Sequence, residues 1–325
     1  MEIKGEAESM QYYLGELAEL LKREDITDIE INSGCSAVYI DGAHGREKSP
    51  IQANRNALRA FVNHVAASIG ATINEQSPTL SAILPEQLYR CRLEATIPPM
   101  SRSLNVVIRK PGKTFPMDDY VDEESRGILI HALLDKENLL ICGSTSSGKT
   151  SFLNSLLVEM EKQRPLERLI IIEDEHEVQC PHRNHEYLFT IKKENQVVWS
   201  MADSVKKSLR MNPDRLIIGE VRDEAAREVL RAWSTGHGGG MCTFHAGNTD
   251  DGFLNFYGMA GLDWNNILER RVASSMIDLI IFLSKGEDGR KVREISRVRF
   301  DSQTEKPSIQ SIYHTNRTKN LIPQP

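Results

Sequence analysis

Residues 143–150 carry the pattern in this chain whose chemistry is easiest to recognise. They read Gly143, Ser144, Thr145, Ser146, Ser147, Gly148, Lys149 and Thr150, which is G-x-x-x-x-G-K-T with no position missing. Glycines let such a loop curl, so that successive backbone N–H groups point inward at phosphate oxygens. Lys149 can reach the β- and γ-phosphates of a nucleotide, and the Thr150 hydroxyl can hold Mg²⁺. We therefore predict a phosphate-binding loop that extends to Ser151.

The flanking sequence supplies the elements that this loop needs. The apolar run 139–142 precedes it, and residues 151–160 follow with the apolar spacing of a helix. A strand, a glycine-containing loop and a helix in this order are the context that the motif requires. The positive end of the helix dipole would then face the bound phosphate.

Two further apolar runs end in carboxylates. Residues 169–172 are followed by four acidic side chains within 173–177, and residues 215–218 are followed by Gly219 and Glu220. In open α/β sheets, ligands bind beyond the carboxyl ends of the strands. A carboxylate there can orient an attacking water or hold Mg²⁺ through water. For the first stretch, a solvated acidic loop is the alternative.

Two histidines flank a glycine-rich turn and the short apolar run 241–244. His245 follows that run, and His237 precedes it. A histidine at a strand end can donate a hydrogen bond to a γ-phosphate and so report its presence. The glycines at 238–240 also permit close backbone approach, which packing alone can require. Both interpretations remain open from the sequence.

Arginines in the first third of the chain provide candidates for charge stabilisation. An arginine finger stabilises the charge that develops on a transferred γ-phosphoryl group. Spacing alone does not choose among the four candidates, which are Arg90, Arg92, Arg102 and Arg109.

The positions of apolar residues divide the chain into two regions. Up to residue 110 they predict helices over 10–23 and 55–69, strands over 26–31 and 37–40, and a β-meander over 79–109. Proline, glycine and charge then concentrate over 111–122, which predicts a linker. We therefore expect a mixed α+β domain over 1–110, a linker over 111–122 and a second domain over 123–325.

The second region has the alternating pattern of an α/β nucleotide-binding core. A helix is predicted over 123–135, and short apolar runs then alternate with helices. Buried parallel strands read as continuous apolar runs, because helices cover both faces of the sheet. These runs cover 139–142, 169–172, 215–218, 241–244 and 279–283. Residues 290–314 are strand-like, and the segment after Asn316 is expected to be loose.

Composition indicates an ordinary globular protein. The 325 residues are 40% apolar and 26% charged, which argues against a disordered chain. The net charge of −6 argues against bulk electrostatic coating of nucleic acid, so no direct nucleic-acid binding is expected. Five cysteines without a C-x-x-C pair indicate a reducing compartment. We expect neither a signal peptide nor a membrane span, so membrane contact would be peripheral.

Taken together, these stretches resemble the type II/IV secretion ATPase superfamily, and most closely the TrbB-type conjugative-transfer ATPases. The resemblance rests on four boxes in order, which cover 143–150, 172–177, 212–222 and 235–246. It is strong over 143–250 and weaker toward 108–111 and the first domain. It implies an N-terminal domain joined by a linker to a RecA-like ATPase domain, with ATP and Mg²⁺ as cofactors, in a homohexamer.

The resemblance also implies roles for individual residues. It implies that Glu173 activates water and that Glu220 is the strand-end acid near Mg²⁺, although the two roles could be exchanged. By the same resemblance, His245 senses the γ-phosphate. Arg92 and Arg109 fall near the positions from which members of the family bring arginines of the N-terminal domain to the phosphates, and Arg102 is a third candidate.

The chain departs from the family pattern at two positions. Glu175 stands where threonine is common, and Asp223 stands where glycine is common. Neither change removes a catalytic group, but both add negative charge that would alter nucleotide affinity.

The function implied by this resemblance is ATP hydrolysis by a traffic motor for type IV secretion or conjugative DNA transfer. The motor would lie at the cytoplasmic face of the inner membrane, with other components of the secretion complex as partners. Motion between the two domains would convert hydrolysis into work. The alternatives are a pilus or type II secretion motor, and a nucleotide-gated docking module with negligible turnover.

Overall fold

The computed structural model describes residues 2–33, 36–42, 45–112, 115–193, 196–222, 224–286 and 288–315. By its internal contacts, the chain divides into two compact units, Met1–Gly112 and Lys113–Pro325. The predicted loose segment after Asn316 and the family departure at Asp223 lie outside the described residues. Among the helices that the described residues form, none combines the length and apolar character needed to cross a bilayer.

The first unit is a mixed α+β unit built on one antiparallel sheet. Its described strands run in the order β3-β2-β1-β6-β5-β4, and each neighbouring pair is antiparallel. Its elements are α1 (Glu2–Leu14), α2 (Leu17–Lys22), β1 (Ile26–Ile31), β2 (Ala37–Gly42), β3 (Glu47–Gln52), α3 (Arg55–Ser68), β4 (Thr79–Ile83), a 3₁₀ turn (Glu86–Leu88), β5 (Arg92–Thr96) and β6 (Asn105–Arg109).

Most of the predicted elements of this unit are confirmed, and two differ. The single helix predicted over 10–23 is two helices, because Gly15 adopts a positive φ of 54° and ends α1. Strand β3 was not predicted. It is polar, it lies at the edge of the sheet, and it contains Pro50, so it lacks the apolar alternation of a half-buried strand.

The second unit has an eight-stranded sheet with helices on both faces. The strand order is β16-β15-β14-β7-β13-β12-β8-β9. Its elements are a 3₁₀ turn (Met117–Asp119), α4 (Glu123–Leu134), β7 (Leu139–Gly143), α5 (Lys149–Gln163), β8 (Leu169–Glu173), β9 (His185–Phe189), β10 (Ile191–Lys193), β11 (Gln196–Trp199), α6 (Met201–Ser208), β12 (Arg215–Ile218), α7 (Ala225–Ser234), β13 (Met241–Phe244), α8 (Thr249–Met259), α9 (Ile267–Met276), β14 (Leu279–Gly286), β15 (Gly289–Asp301) and β16 (Lys306–His314).

The central strands are parallel and fully buried, as their continuous apolar runs predict. The strands from β14 through β7, β13, β12 and β8 to β9 are parallel neighbours, and β15 and β16 extend the sheet in antiparallel pairing. Successive residues alternate between two cores. Leu140 and Cys142 pack on one face, whereas Leu139 and Ile141 pack on the other. Both faces are therefore covered by helices.

Part of the predicted linker packs inside the second unit. Met117 and Tyr120 are 3% and 2% exposed and belong to one of its two apolar cores. The helix that follows begins with a capping box, in which the Asp122 side chain accepts a hydrogen bond from the Ser125 N–H. Residues 117–122 are thus a structured entry to this unit, and the role of 111–122 as an interdomain linker remains a prediction.

Candidate active site

The carboxyl ends of four parallel strands meet at one edge of the second sheet. Cys142 of β7 pairs with Phe244 of β13, and Ile218 of β12 pairs with Ile172 of β8. The residues that follow these partners therefore lie side by side. They comprise the 143–150 loop, His245, Glu220 and Glu173, which the sequence predicted as site residues although they lie far apart along the chain.

Close packing explains the first glycine of the loop, and close packing together with backbone conformation explains the second. A Cβ on Gly143 would lie 2.4 Å from the Leu283 carbonyl oxygen. Gly148 has a φ of +93°, and a Cβ there would lie 2.7 Å from the Arg290 side chain. Only glycine fits either position without displacing a neighbour. The first turn of α5 then begins at Lys149 with its N–H groups at the loop.

Lys149 is folded onto its own loop. Its ammonium donates hydrogen bonds to the carbonyl oxygens of Gly143 and Ser144, both at 3.1 Å, and its side chain is buried. Burial lowers the pKa of Lys149, although the charge of Glu220 opposes this shift. The positive charge that the motif requires is therefore held inside the loop by carbonyl dipoles and a nearby carboxylate.

His245 links this lysine to Glu220. Its Nδ1 lies 3.3 Å from Lys149 Nζ, and its Nε2 lies 3.3 Å from Glu220 Oε1. The ammonium is only a donor, so Nδ1 must accept, and Nε2 then carries the proton that faces the carboxylate. A neutral imidazole satisfies both contacts. The three side chains thus form a continuous chain along the strand ends.

Glu220 is fixed by backbone and side-chain contacts. Its flanking residues are tied to the neighbouring strands, because Gly219 N donates to Ile172 O and Val221 N donates to Thr243 O. Arg222 binds both carboxylate oxygens, at 3.0 and 3.3 Å. Burial alone would raise the pKa of Glu220, but the Arg222 hydrogen bond and the nearby positive charges lower it overall. Glu220 is therefore held as a carboxylate.

Glu173 is held in a different way. It is 2% exposed, and its Oε2 accepts the backbone N–H groups of Glu177 and Val178 at 3.0 and 2.9 Å. Glu177 in turn lies near the loop, where its Oε2 is 3.4 Å from the Thr150 hydroxyl. A small, open cleft joins these groups. It is lined by Thr150, Glu173, Asp174, Glu175, Glu177, Gly219, Glu220 and Arg222.

The sequence model of the family described as Type II/IV secretion system protein matches residues 50–286. The chain belongs to this family. Conjugal transfer protein TrbB of Rhizobium radiobacter is 33% identical over 74% of this chain and 74% of its own length. Type IV secretion system protein VirB11 of Brucella suis is 25% identical over 96% of this chain and 95% of its own length.

Solved structures support the fold of this chain. The pilus retraction motor PilT with bound ADP matches with a TM-score of 0.65 at 19% identity, over 91% of this chain and 82% of the other. The Legionella pneumophila ATPase DotB matches with a TM-score of 0.63 at 19% identity, over the same shares. The expected fold class, an N-terminal α+β domain followed by a RecA-like P-loop ATPase domain, is confirmed. Its family is one of nucleotide-binding ATPases.

The residues of the 143–151 loop differ in exposure. Ser144, Thr145 and Ser146 are exposed, and Ser146 adopts a positive φ of 61°. Ser147 is fully buried, whereas Ser151 is half-buried in the first turn of α5. The exposed part is thus the outer rim of the loop, and the buried part joins the loop to the sheet.

The predicted N-terminal arginines lie in the first unit. Arg92 and Arg109 are paired neighbours on β5 and β6, and they contact Glu94 at 2.9 Å and Asp28 at 2.6 Å. Arg102 lies in the turn before β6. Their predicted action on a phosphate depends on the arrangement of the two units, so it remains a prediction.

The other histidine and its glycines have packing roles. His237 precedes β13, so the strand separates it from His245 and the loop. A Cβ on Gly239 would lie 2.8 Å from an Arg215 guanidinium nitrogen, and one on Gly240 would lie 2.2 Å from Trp233 Nε1. Close packing therefore explains these two glycines, which was one of the two interpretations that the sequence left open.

Sequence reasoning missed two arginines at this edge. Arg222 was noted only as part of the family resemblance, yet it binds Glu220 and lies 3.8 Å from Asp174. Arg290 reaches the loop from β15, where its Nε donates to the Ser146 carbonyl oxygen at 3.1 Å. The proximity of Arg222 to Glu220 in sequence was a usable signal. For Arg290 there was none, because β-sheet pairing alone brings it to the loop.

Proposed function

We propose that this chain is a Mg²⁺-dependent ATP hydrolase and the homohexameric traffic motor of a type IV secretion or conjugative DNA-transfer system. One observation carries the catalytic part of the proposal. Lys149, Thr150, His245, Glu220 and Glu173 converge at the carboxyl edge of one parallel sheet. The similarity to TrbB over 74% of the chain supports the conjugative context.

The residues present fit both cofactors. A Cβ on Gly143 would clash with Leu283 and Ser147, and one on Gly148 would clash with Arg290, so glycine at both positions allows the curled loop that can bind phosphate oxygens. Hydroxyl and carboxylate oxygens are the ligands that Mg²⁺ prefers, and Thr150 and Glu220 line one cleft. Thr150 would bind the ion directly and Glu220 through water. When bound, Mg²⁺ supplies positive charge that neutralises the β- and γ-phosphates.

Each side chain then has a defined task in the in-line attack of water on the γ-phosphorus. Lys149 exchanges its carbonyl partners for phosphate oxygens. Glu173, oriented by two backbone N–H groups, accepts the proton of the attacking water. His245 lies between Lys149 and Glu220. Its Nε2 N–H donates a hydrogen bond to the γ-phosphate when that group is present and faces Glu220 when it is absent. Arg92, Arg102 and Arg109 are candidates to stabilise the transition state from the first domain.

Replacing Lys149 with alanine tests the hydrolase directly. We expect steady-state phosphate release to fall by about 100-fold or more, because the charge facing the phosphates is lost. Lys162→Ala is the matched control, since Lys162 lies on the same helix with its side chain 60% exposed and bonded to Glu159. Normal turnover in Lys149→Ala would reject the assignment. Wild-type protein that binds ATP without turnover would instead indicate a docking module.

The two glutamates are distinguished by separate glutamine variants. Glu173→Gln should lower kcat by about 100-fold or more without changing the Mg²⁺ concentration needed for half-maximal rate. Glu220→Gln should raise that Mg²⁺ requirement as well as lower kcat. ATP binding should persist in both, as measured by calorimetry. If the Mg²⁺ requirement rises for Glu173→Gln instead, the two roles are exchanged.

The assembly and its site of action are tested with the purified chain and its partners. Light scattering with and without Mg²⁺-ATP should yield a species with six times the 36.7 kDa chain mass. A monomer or dimer under all conditions would contradict the homohexamer. Fractionation of cells that express the complete secretion system should place the chain at the cytoplasmic face of the inner membrane, and detachment by high salt would identify peripheral association.

A further inference from the structure

The hairpin formed by β14 and β15 lies directly against the phosphate-binding loop. Strand β14 runs parallel to β7 as far as the pair Leu283 and Gly143, and then continues beyond the point where β7 ends. The chain returns through β15, where Arg290 pairs with Lys285. The start of β15 therefore stands beside the loop within the same unit.

Arg290 is the residue of this hairpin that contacts the loop. Its Nε donates a hydrogen bond to the Ser146 carbonyl oxygen at 3.1 Å. Its Cδ lies where a side chain on residue 148 would have to go, 2.7 Å from the Cβ position. The absence of a side chain at Gly148 therefore leaves room for the aliphatic part of Arg290 and also permits the turn of the loop. Arg290 lies against both Ser146 and Gly148.

The charged end of Arg290 differs from those of its neighbours on the same strand. Arg293 is bonded to both carboxylate oxygens of Asp288, and Arg297 is bonded to both of those of Glu137. Within the described part of the chain, the contact recorded for Arg290 uses Nε alone. Its two terminal nitrogens therefore keep their N–H groups for another acceptor, and the guanidinium fork matches phosphate oxygens.

We propose that Arg290 is a nucleotide-binding residue, which contacts the phosphates that ATP and ADP share. This inference rests on the proposed ATP site. Lys149, His245 and Glu220 define the side of the loop where the γ-phosphate reacts. Arg290 lies at the opposite side, against Ser146 and Gly148, so it meets the α- and β-phosphates. It strengthens binding in both nucleotide states from within the same subunit.

Arg290→Gln separates ligand contact from loop support. The glutamine amide nitrogen occupies the same position along the side chain as the arginine Nε, so it can still donate to Ser146. Only the charged fork is removed. We expect the Kd values of Mg²⁺-ADP and Mg²⁺-ATP, measured by calorimetry, to rise together by about tenfold or more. The kcat at saturating ATP should stay within about twofold of the wild-type value, because the contact is the same before and after reaction.

Arg299→Gln is the matched control, since Arg299 lies on the same strand with its side chain exposed. It should bind both nucleotides as the wild type does. Arg290→Lys keeps the charge without the fork and should weaken binding less than Arg290→Gln. If Arg290→Gln does not fold, as judged by its thermal unfolding, Arg290→Lys alone decides, and unchanged affinity for both nucleotides in that variant would overturn the proposal.

The outcomes separate this inference from the proposed function. If wild-type protein hydrolyses ATP and Arg290→Gln binds ADP as tightly as wild type, Arg290 only supports the loop and the inference is wrong. Weaker binding of ATP with unchanged binding of ADP would place the contact at the γ-phosphate and would also overturn it. If wild-type protein neither binds nor hydrolyses ATP, the proposed function itself fails.

Discussion

Arg215 and Arg222 stand near the two ends of strand β12 in opposite environments. At the amino end, Arg215 is fully buried and contacts Glu167 at 2.6 Å, and its remaining N–H groups reach the carbonyl oxygens of Leu133 and Gly239. At the carboxyl end, Arg222 also binds a glutamate, but half of its side chain is exposed. An arginine–glutamate pair therefore lies at both ends of β12. The pair at the amino end is buried, whereas the pair at the carboxyl end is accessible to solvent.

The difference shows why chemistry is expected at only one of these ends. Each of the three guanidinium nitrogens of Arg215 donates to a protein group, so this arginine holds together α4, the segment before β8, β12 and the turn before β13. Because it is fully buried, it is out of reach of a ligand. At the carboxyl end, Lys149 contacts His245, and His245 contacts Glu220, so each side chain can exchange a protein partner for a ligand atom. We therefore expect substitutions at the amino end of β12 to lower stability and substitutions at its carboxyl end to lower activity.

Replacing Arg215 with methionine should have the largest effect on stability. Removing one partner of a buried ion pair costs about 3–5 kcal/mol, and Lys136, 3.3 Å from Glu167, should keep the loss near the lower value. Tryptophan fluorescence during urea unfolding reports the second unit selectively, since Trp199, Trp233 and Trp264 all belong to it. Arg231→Met, at an exposed pair, is the control and should cost less than about 1 kcal/mol. Equal stability of the two variants would contradict the closed-end interpretation.

Replacing Arg222 with methionine should have the converse effect. The half-exposed pair with Glu220 should contribute no more than about 1 kcal/mol to unfolding. Turnover should nevertheless fall by about 10- to 100-fold, because the bidentate contact that orients Glu220 is lost. Phosphate release and urea unfolding of one preparation measure both quantities. Arg222→Lys, which keeps the charge but not the fork, should recover part of the rate. If Arg222→Met lost as much stability as Arg215→Met, the two ends of β12 would not differ in the way proposed here.

The sequence predicted the open end better than the closed end. The loop, Glu173, Glu220 and His245 all follow continuous apolar runs, and parallel strands bring their carboxyl ends to one edge, so local patterns were enough. At the closed end, no local sequence pattern identified the partner of Arg215. Arg215 contacts Glu167 and Asp214 faces Lys136, because the partners of a buried arginine are set by packing between elements that lie far apart in the sequence.

Patterns of apolar residues also did not predict the strands that are polar or half-exposed. Strand β9 is half-buried and joins the parallel edge beside β8, and β10 pairs with β11 in a hairpin that exposes Val197 and Val198. None of these three strands has the continuous apolar run that predicted the central strands. Arg290 was missed for a related reason, since its contact with Ser146 depends on the register of β14 against β7. Pairing partners across a sheet are a tertiary property.

The smallest expected effects are those of Asp278 and Glu220 on the pH dependence of stability, and the two side chains should act in opposite directions. Burial raises the pKa of Asp278 above its ordinary value of 3.8, and the nearby Glu137 also raises it, while the Asn138 N–H opposes the shift. Above pH 3.8 the unfolded chain loses this proton while the folded chain keeps it. The stability of wild type relative to Asp278→Asn should therefore fall as pH rises, and should level off once the folded carboxyl has ionised.

Glu220 supplies the opposite sign at the other end of the sheet. Its folded pKa lies below the ordinary value of 4.5, so its ionised form contributes stability that is present above pH 4.5 and is lost as pH falls through the folded pKa. The stability of wild type relative to Glu220→Gln should rise with pH in that acidic window. Urea unfolding followed by tryptophan fluorescence from pH 3.5 to 7.5 measures both differences. If both slopes had the same sign, the carboxylates at the two ends would share one environment, and the contrast drawn from the arginines would not extend to them.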